Sequence, residues 1–225
     1  MDAARVAVLR EILAPTGWVE RTREFAAALR ASTSGPGGLL LVGTPDDEPW
    51  HLAAHLDDEA RHAAIPELVP TLVRWRPPAG APSHLSVGLD RLGTARRGES
   101  LVVVTPGDAP APLLERVSDA RRTGARVFAI DAGDAELRGL AHEAITVPEV
   151  GLVLPRADAA RLVVPGLDRL DGLDLAAPAV SFDAVQHLVS AAAGEARGRA
   201  RRRGARDRLA RFLDIVSGPP PSRDP

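Results

Sequence analysis

The chain of 225 residues reads as an α/β protein, an open parallel sheet sandwiched between helices. Three observations predict this. Five short apolar runs, Leu39 to Val42, Leu72 to Trp75, Leu101 to Val104, Arg126 to Ile130 and Ala144 to Val147, alternate with stretches of helical period. These runs are almost continuously apolar rather than alternating, the mark of strands covered on both faces. Most are followed by a turn rich in Gly, Pro, Thr or Asp that opens the next helix, the punctuation of strand–turn–helix units.

Taken in order, residues 2–13 form a helix with Val6, Leu9, Ile12 and Leu13 on one face, broken by Pro15 and Gly17. Thr16 is placed to cap a second helix through Ala31, with Trp18, Phe25 and Leu29 inward. These make an N-terminal helical hairpin over residues 1–34. The first strand follows and ends at Gly43. Asp46, Asp47, Glu48 and Pro49 then suit the start of a helix from Trp50 to Ala64, where acids meet the positive end of the helix dipole and proline fills the first turn. After the second strand come a Pro/Gly turn, residues 77–82, and a short helix from His84 to Arg96. The third strand leads through Thr105-Pro106-Gly107-Asp108-Ala109-Pro110 into a helix bearing Leu113, Leu114 and Val117, closed by Gly124. Asp131 ends the fourth strand, Asp134 opens a short helix to Ala141, and the fifth strand completes the series. Prolines 148, 155, 165 and 178 punctuate an extended wrap. Ser181 caps a late helix through Val185, Leu188 and Val189, so the α/β domain spans residues 35–194. An Arg-rich helix, 195–216, and a disordered Pro-rich tail, 217–225, follow.

Composition limits the chemistry. Cysteine is absent, which removes thiolate nucleophiles, disulfides and thiolate metal ligands. All 28 basic residues are arginine, and Tyr is missing too, so neither a Schiff-base lysine nor a tyrosine acid is available. No secretory leader is expected, and no run is long enough to span a bilayer, so a cytoplasmic location is expected. The Arg-rich segment sets eight arginines from Arg197 to Arg211 against Glu195 and Asp207 on an otherwise acidic chain. Without interleaved aromatics or a helix-turn-helix pattern, it reads as a solvated or partner-docking helix rather than a nucleic-acid arm.

Two groups of residues carry the candidate chemistry. Ligands of open α/β sheets sit at the carboxyl ends of the strands, which selects Gly43, Thr44, Thr105, Gly107, Asp108 and Asp131. The second group is a stripe, His51, His55, Glu59 and His62, within about 80° of one helix face at roughly 100° per residue. Such spacing reads first as a polar flank or dimer interface. A divalent metal held by His51, His55 and Glu59 is the lesser alternative, and no cofactor is otherwise expected.

The passage Gly98 to Pro148 resembles the sugar isomerase (SIS) domain. The resemblance rests on Leu101-Val-Val-Val-Thr105, Leu114-Glu115, Ala120-Arg-Arg-Thr-Gly-Ala125, Val127-Phe-Ala-Ile130 and Ala141-His-Glu-Ala-Ile-Thr-Val-Pro148; the N-terminal half matches in layout. It implies a three-layer sandwich with a five-stranded parallel sheet, a homodimer, and binding of a phosphosugar or related small molecule. The family's phosphate loop, Ser-x-Ser-Gly-x-Thr, is here Thr105-Pro106-Gly107-Asp108-Ala109-Pro110. Its first loop, Gly-x-Gly-x-Ser, is reduced to Gly43 and Thr44 followed by acids. The chain is thus a divergent member with degenerate phosphate loops, since carboxylates replace the hydroxyls and amides that bind a dianion. If the resemblance extends to isomerisation, His55, Glu59 or His187 would move the proton. The competing expectation is a non-catalytic SIS-like module serving as a dimeric protein-interaction scaffold.

Overall fold

The computed structural model describes Arg10, Leu13 and residues 17–147 and 181–195. The first helix of the expected hairpin, apart from Arg10 and Leu13, lies outside the described residues. So do the wrap at 148–180, the Arg-rich segment from residue 196, and the tail.

Among the described residues, five parallel strands form one sheet: β1 (Leu39–Val42), β2 (Pro70–Val73), β3 (Ser100–Thr105), β4 (Arg126–Asp131) and β5 (Glu143–Thr146), in the order β2-β1-β3-β4-β5. The chain reverses direction of winding between β1 and β3, so that is the switch point of the sheet. The helices are α1 (Trp18–Ser32), α2 (Trp50–Ala63), α3 (Asp90–Gly93), α4 (Ala111–Arg122), α5 (Ala135–Leu140) and α6, residues 182–195.

The continuous apolar runs form strands because both sheet faces are covered. Residues of β3 and β4 divide by parity: Val102, Val104, Phe128 and Ile130 face one cluster, while Leu101, Val103, Val127 and Ala129 face the other. The first cluster is closed by α1, α2 and α6 through Phe25, Leu29, Leu52, Leu56, Val185, Leu188 and Val189. Its centre is an edge-on contact between Phe25 and Phe128, with ring centroids 5.3 Å apart. The second is closed by α3, α4 and α5 through Leu92, Leu113, Val117 and Leu137. The result is the three-layer α/β sandwich the sequence predicts.

Local signals explain most boundaries. Asp134 caps α5, accepting from the amides of Glu136 and Leu137 at 2.9 and 3.0 Å, and Ser181 Oγ accepts from Ala184 N at 3.1 Å to start α6. Gly124 ends the turn after α4 with φ of 100°. Three expectations need correction. The cap of α1 is Gly17, in the left-handed region, and it supplies no side-chain bond. The second strand runs Pro70–Val73 rather than Leu72 to Trp75, because the apolar signal starts after a proline that can stand at the beginning of an edge strand. The single helix expected from His84 to Arg96 is two short pieces, Ser83–Leu85 and α3. Between them Arg74 N bonds to Val87 O at 2.8 Å and Arg74 bridges Gly88, drawing that segment into extension beside the sheet.

Candidate functional site

The loop after β1 is closed on itself. Asp47 N donates to Thr44 Oγ1 at 3.1 Å and Thr44 N to Asp47 O at 3.2 Å. Gly43 lies so close beneath this turn that a Cβ would sit 2.0 Å from Asp47 O, and its carbonyl receives Trp75 Nε1 at 2.8 Å. Glu48 accepts from Arg74 Nε, Trp75 N and Trp50 Nε1 at 3.0, 3.3 and 3.0 Å, while Arg74 also stacks on the Trp50 ring at 4.7 Å. Glu48 is therefore a clamp between β1 and β2, with its charge neutralised locally.

The other strand ends are equally engaged. Asp134 accepts from Ala109 N at 2.8 Å as well as capping α5, so it ties the β3–α4 loop to the β4–α5 loop. These three amide bonds hold its carboxyl below the ordinary value, although partial burial acts the other way. Asp131, fully buried, pairs in register with Thr105 across β3 and β4. Its Oδ1 accepts from Gly133 N at 2.7 Å and Thr146 Oγ1 at 3.3 Å. Its Oδ2 and Thr105 Oγ1 are buried with no hydrogen-bond partner, and burial raises the Asp131 pKa. Gly107 and Asp108 stand exposed at the tip of the same loop. By parity Thr105 and Asp131 share the face covered by α4 and α5.

The histidines lie on the opposite face. Helices α2 and α6 run side by side in the same direction: His51 Nδ1 meets Asp183 Oδ1 at 3.1 Å near their starts, and Glu59 meets Gly194 near their ends. Leu52, Leu56 and Ala60 bury one stripe of α2, which leaves His51 and His55 on the flank turned to α6. There His187 packs against both, with ring centroids 4.6 Å from His51 and 4.4 Å from His55, the latter two being 4.8 Å apart. His187 is 4% exposed, and its Nε2 lies 3.5 Å from Asp183 Oδ2. Burial, above all, lowers the His187 pKa from 6.5 to about 4, overcoming the pull of Asp183, with His55 and His51 adding to the depression. Burial likewise lowers that of His55. At neutral pH both imidazoles are therefore predominantly uncharged.

Glu59, placed with His51 and His55 by the sequence stripe, is outside this cluster. It lies about one turn beyond His55 on α2, where a Cβ on Gly194 would come within 2.1 Å of its Oε2, and burial raises its pKa. His62 is exposed. The sequence signal overlooked Asp183, whose position four residues before His187 repeats the i, i+4 spacing of His51 and His55. A separate cleft of about 460 Å³, lined in part by Ser34, Arg97, Arg126 and His142, opens at the amino-terminal edge of the sheet, away from both groups.

No protein-family model matches the chain, and no curated protein matches it. Among solved structures, it is similar to a protein from Silicibacter pomeroyi DSS-3 provisionally assigned as a phosphosugar isomerase, with a TM-score of 0.45 and 17% identity. That correspondence covers 84% of this chain and 47% of the other, so this chain spans about half the length of its neighbour. No helix among the described residues is long and apolar enough to cross a membrane.

Proposed function

We propose that this chain is a sugar-isomerase-like domain that binds a small sugar derivative at the carboxyl edge of its sheet, with the histidine cluster forming one wall of the site. The observation that carries the reading is the placement of His51, His55, His187 and Asp183 in the first two turns of α2 and α6. Helix α2 begins just beyond the carboxyl end of β1, next to the switch point of the 2-1-3-4-5 sheet, where folds of this winding bind ligands. Neutral imidazoles beside a carboxylate both donate and accept hydrogen bonds, which suits hydroxyl groups. The resemblance of Gly98 to Pro148 to the SIS domain supplies the ligand class. Part of the objection raised by the acidic loops falls away, because Glu48 and Asp134 are bound internally and burial favours the neutral form of Asp131.

A second reading has its own observation. The hydroxyl of Thr44 is used within its loop and that of Thr105 is buried, so neither is presented to a phosphate, which favours a non-catalytic, dimeric interaction module. Thermal-shift titration with hexose and pentose phosphates, in the presence of chelator, separates the two. Stabilisation by a phosphosugar that His187→Gln weakens supports the small-molecule reading. Exchange of a C–H proton of that sugar with deuterated water, followed by NMR, would add isomerase chemistry. No stabilisation by any phosphosugar, with a dimer in solution, leaves the module.

A further inference from the structure

We propose that His51, His55 and His187 form a binding site for a divalent transition metal of the zinc or cobalt class, with Asp183 as the carboxylate that orients His51 and His187. One ring nitrogen from each of the three histidines lies within 4.8 Å of those of the other two. A tetrahedral zinc site with bonds of about 2.0–2.1 Å separates its nitrogen donors by roughly 3.3 Å. The cluster is thus too open by at most about 1.5 Å along an edge, a gap that ring rotation closes. His51 has the freedom to do this, its side chain being 56% exposed, while His187 is fixed by the packing around it.

The scaffold suits such a site. Helix α2 offers two imidazoles one turn apart, and α6 offers one imidazole and one carboxylate at the same spacing. Both helices are held by buried apolar stripes, through Leu52 and Leu56 on one side and Val185 and Leu188 on the other, so the donors stand on rigid elements. An all-imidazole set selects zinc, cobalt, nickel or copper over magnesium or calcium, which prefer oxygen. Asp183 already reaches His51 Nδ1 and His187 Nε2, the position from which a carboxylate turns imidazole rings toward a metal. Three protein nitrogens leave the fourth position open to water or to a hydroxyl oxygen of a bound molecule, as in catalytic rather than structural zinc sites. The proposal rests on the cluster alone and does not need the sugar reading.

The test uses the full chain, stripped with chelator and then titrated with Co²⁺ in the absence of any sugar, with Zn²⁺ competition. One equivalent of cobalt should bind with the visible absorption of a tetrahedral nitrogen site. His187→Gln, and His51→Ala combined with His55→Ala, should each weaken binding by at least about 100-fold, and Asp183→Asn by about 10–100-fold. His62→Ala, on the same helix but outside the cluster, should bind as the parent does. Circular dichroism shows that each variant is folded, and the exposed His51→Ala alone serves if the others are not. Absence of cobalt absorption in the folded parent, or parental affinity in folded His51→Ala and His187→Gln, would overturn the site. Because phosphosugar binding is measured in chelator, failure of either experiment leaves the other intact.

Discussion

Burial of His187 makes stability depend on pH in a defined window. In the folded chain this imidazole resists protonation until about pH 4, whereas the unfolded chain takes up the proton near 6.5. Between those values the unfolded state binds more protons, so stability falls as pH drops through the window and is unaffected by this group above it. At about pH 5 the difference amounts to about 2 kcal/mol, or a shift of roughly 4–8 °C in Tm for a chain of this size. The assay is urea unfolding at about pH 7.5 and about pH 5, in chelator, for the parent and for His187→Gln. Other titrating groups act on both proteins, and those nearest His187, namely His51, His55 and Asp183, remain in place in the variant. The parent should therefore lose about 2 kcal/mol more than the variant on acidification. Equal losses in the two proteins would refute the reasoning, because His187 would then not be a buried neutral group.

Glu48→Ala removes the acceptor of Arg74, Trp75 and Trp50 at once and should cost about 2 kcal/mol or more by chemical denaturation. Gly43→Ala places a methyl 2.0 Å from a backbone oxygen; the loop must move, and a loss of about 2–3 kcal/mol is expected in the same measurement. Asp131→Asn should raise Tm at neutral pH. Since burial raises the Asp131 pKa, the charged form is a burden above that pKa and ceases to be one in acid, so the gain should vanish as pH falls toward the ordinary carboxylate range.

Much of the fold was legible because its determinants are local. Leu39 to Val42 and Leu101 to Val104 announce doubly covered strands by being apolar at every position, and Asp134 announces a cap by standing just before a helical pattern. The strand at Pro70–Val73 was misplaced because its boundary is set by pairing with β1, which no local run encodes. The break between Ser83–Leu85 and α3 likewise depends on Arg74, a residue of the preceding strand end. At the candidate site, the i, i+4 pair His51 and His55 was visible from helical spacing. Their partnership with His187, 136 and 132 residues distant in sequence respectively, was not, because it depends on how α6 lies along α2. The same docking sends Glu59 to Gly194 instead of to the histidines, a distinction that spacing on one helix cannot make. The acids of the strand-end loops read as helix starts or as charge opposed to a phosphate. Neither reading reaches Glu48, because its partner Arg74 lies across the sheet edge.

The contacts of α6 carry a consequence for how the protein matures. The five strands and α1 to α5 lie within residues 18–146, whereas α6 starts at residue 182 and returns to pack on α2 and on Arg30 of α1, whose guanidinium donates to the carbonyls of Ala192 and Ala193. Nascent chain leaving the ribosome can thus complete its sheet before it owns His187 or Asp183. Contacts of such long sequence separation are entropically late. The histidine cluster is consequently completed late: only a chain translated through α6, and folded back onto α2, possesses it.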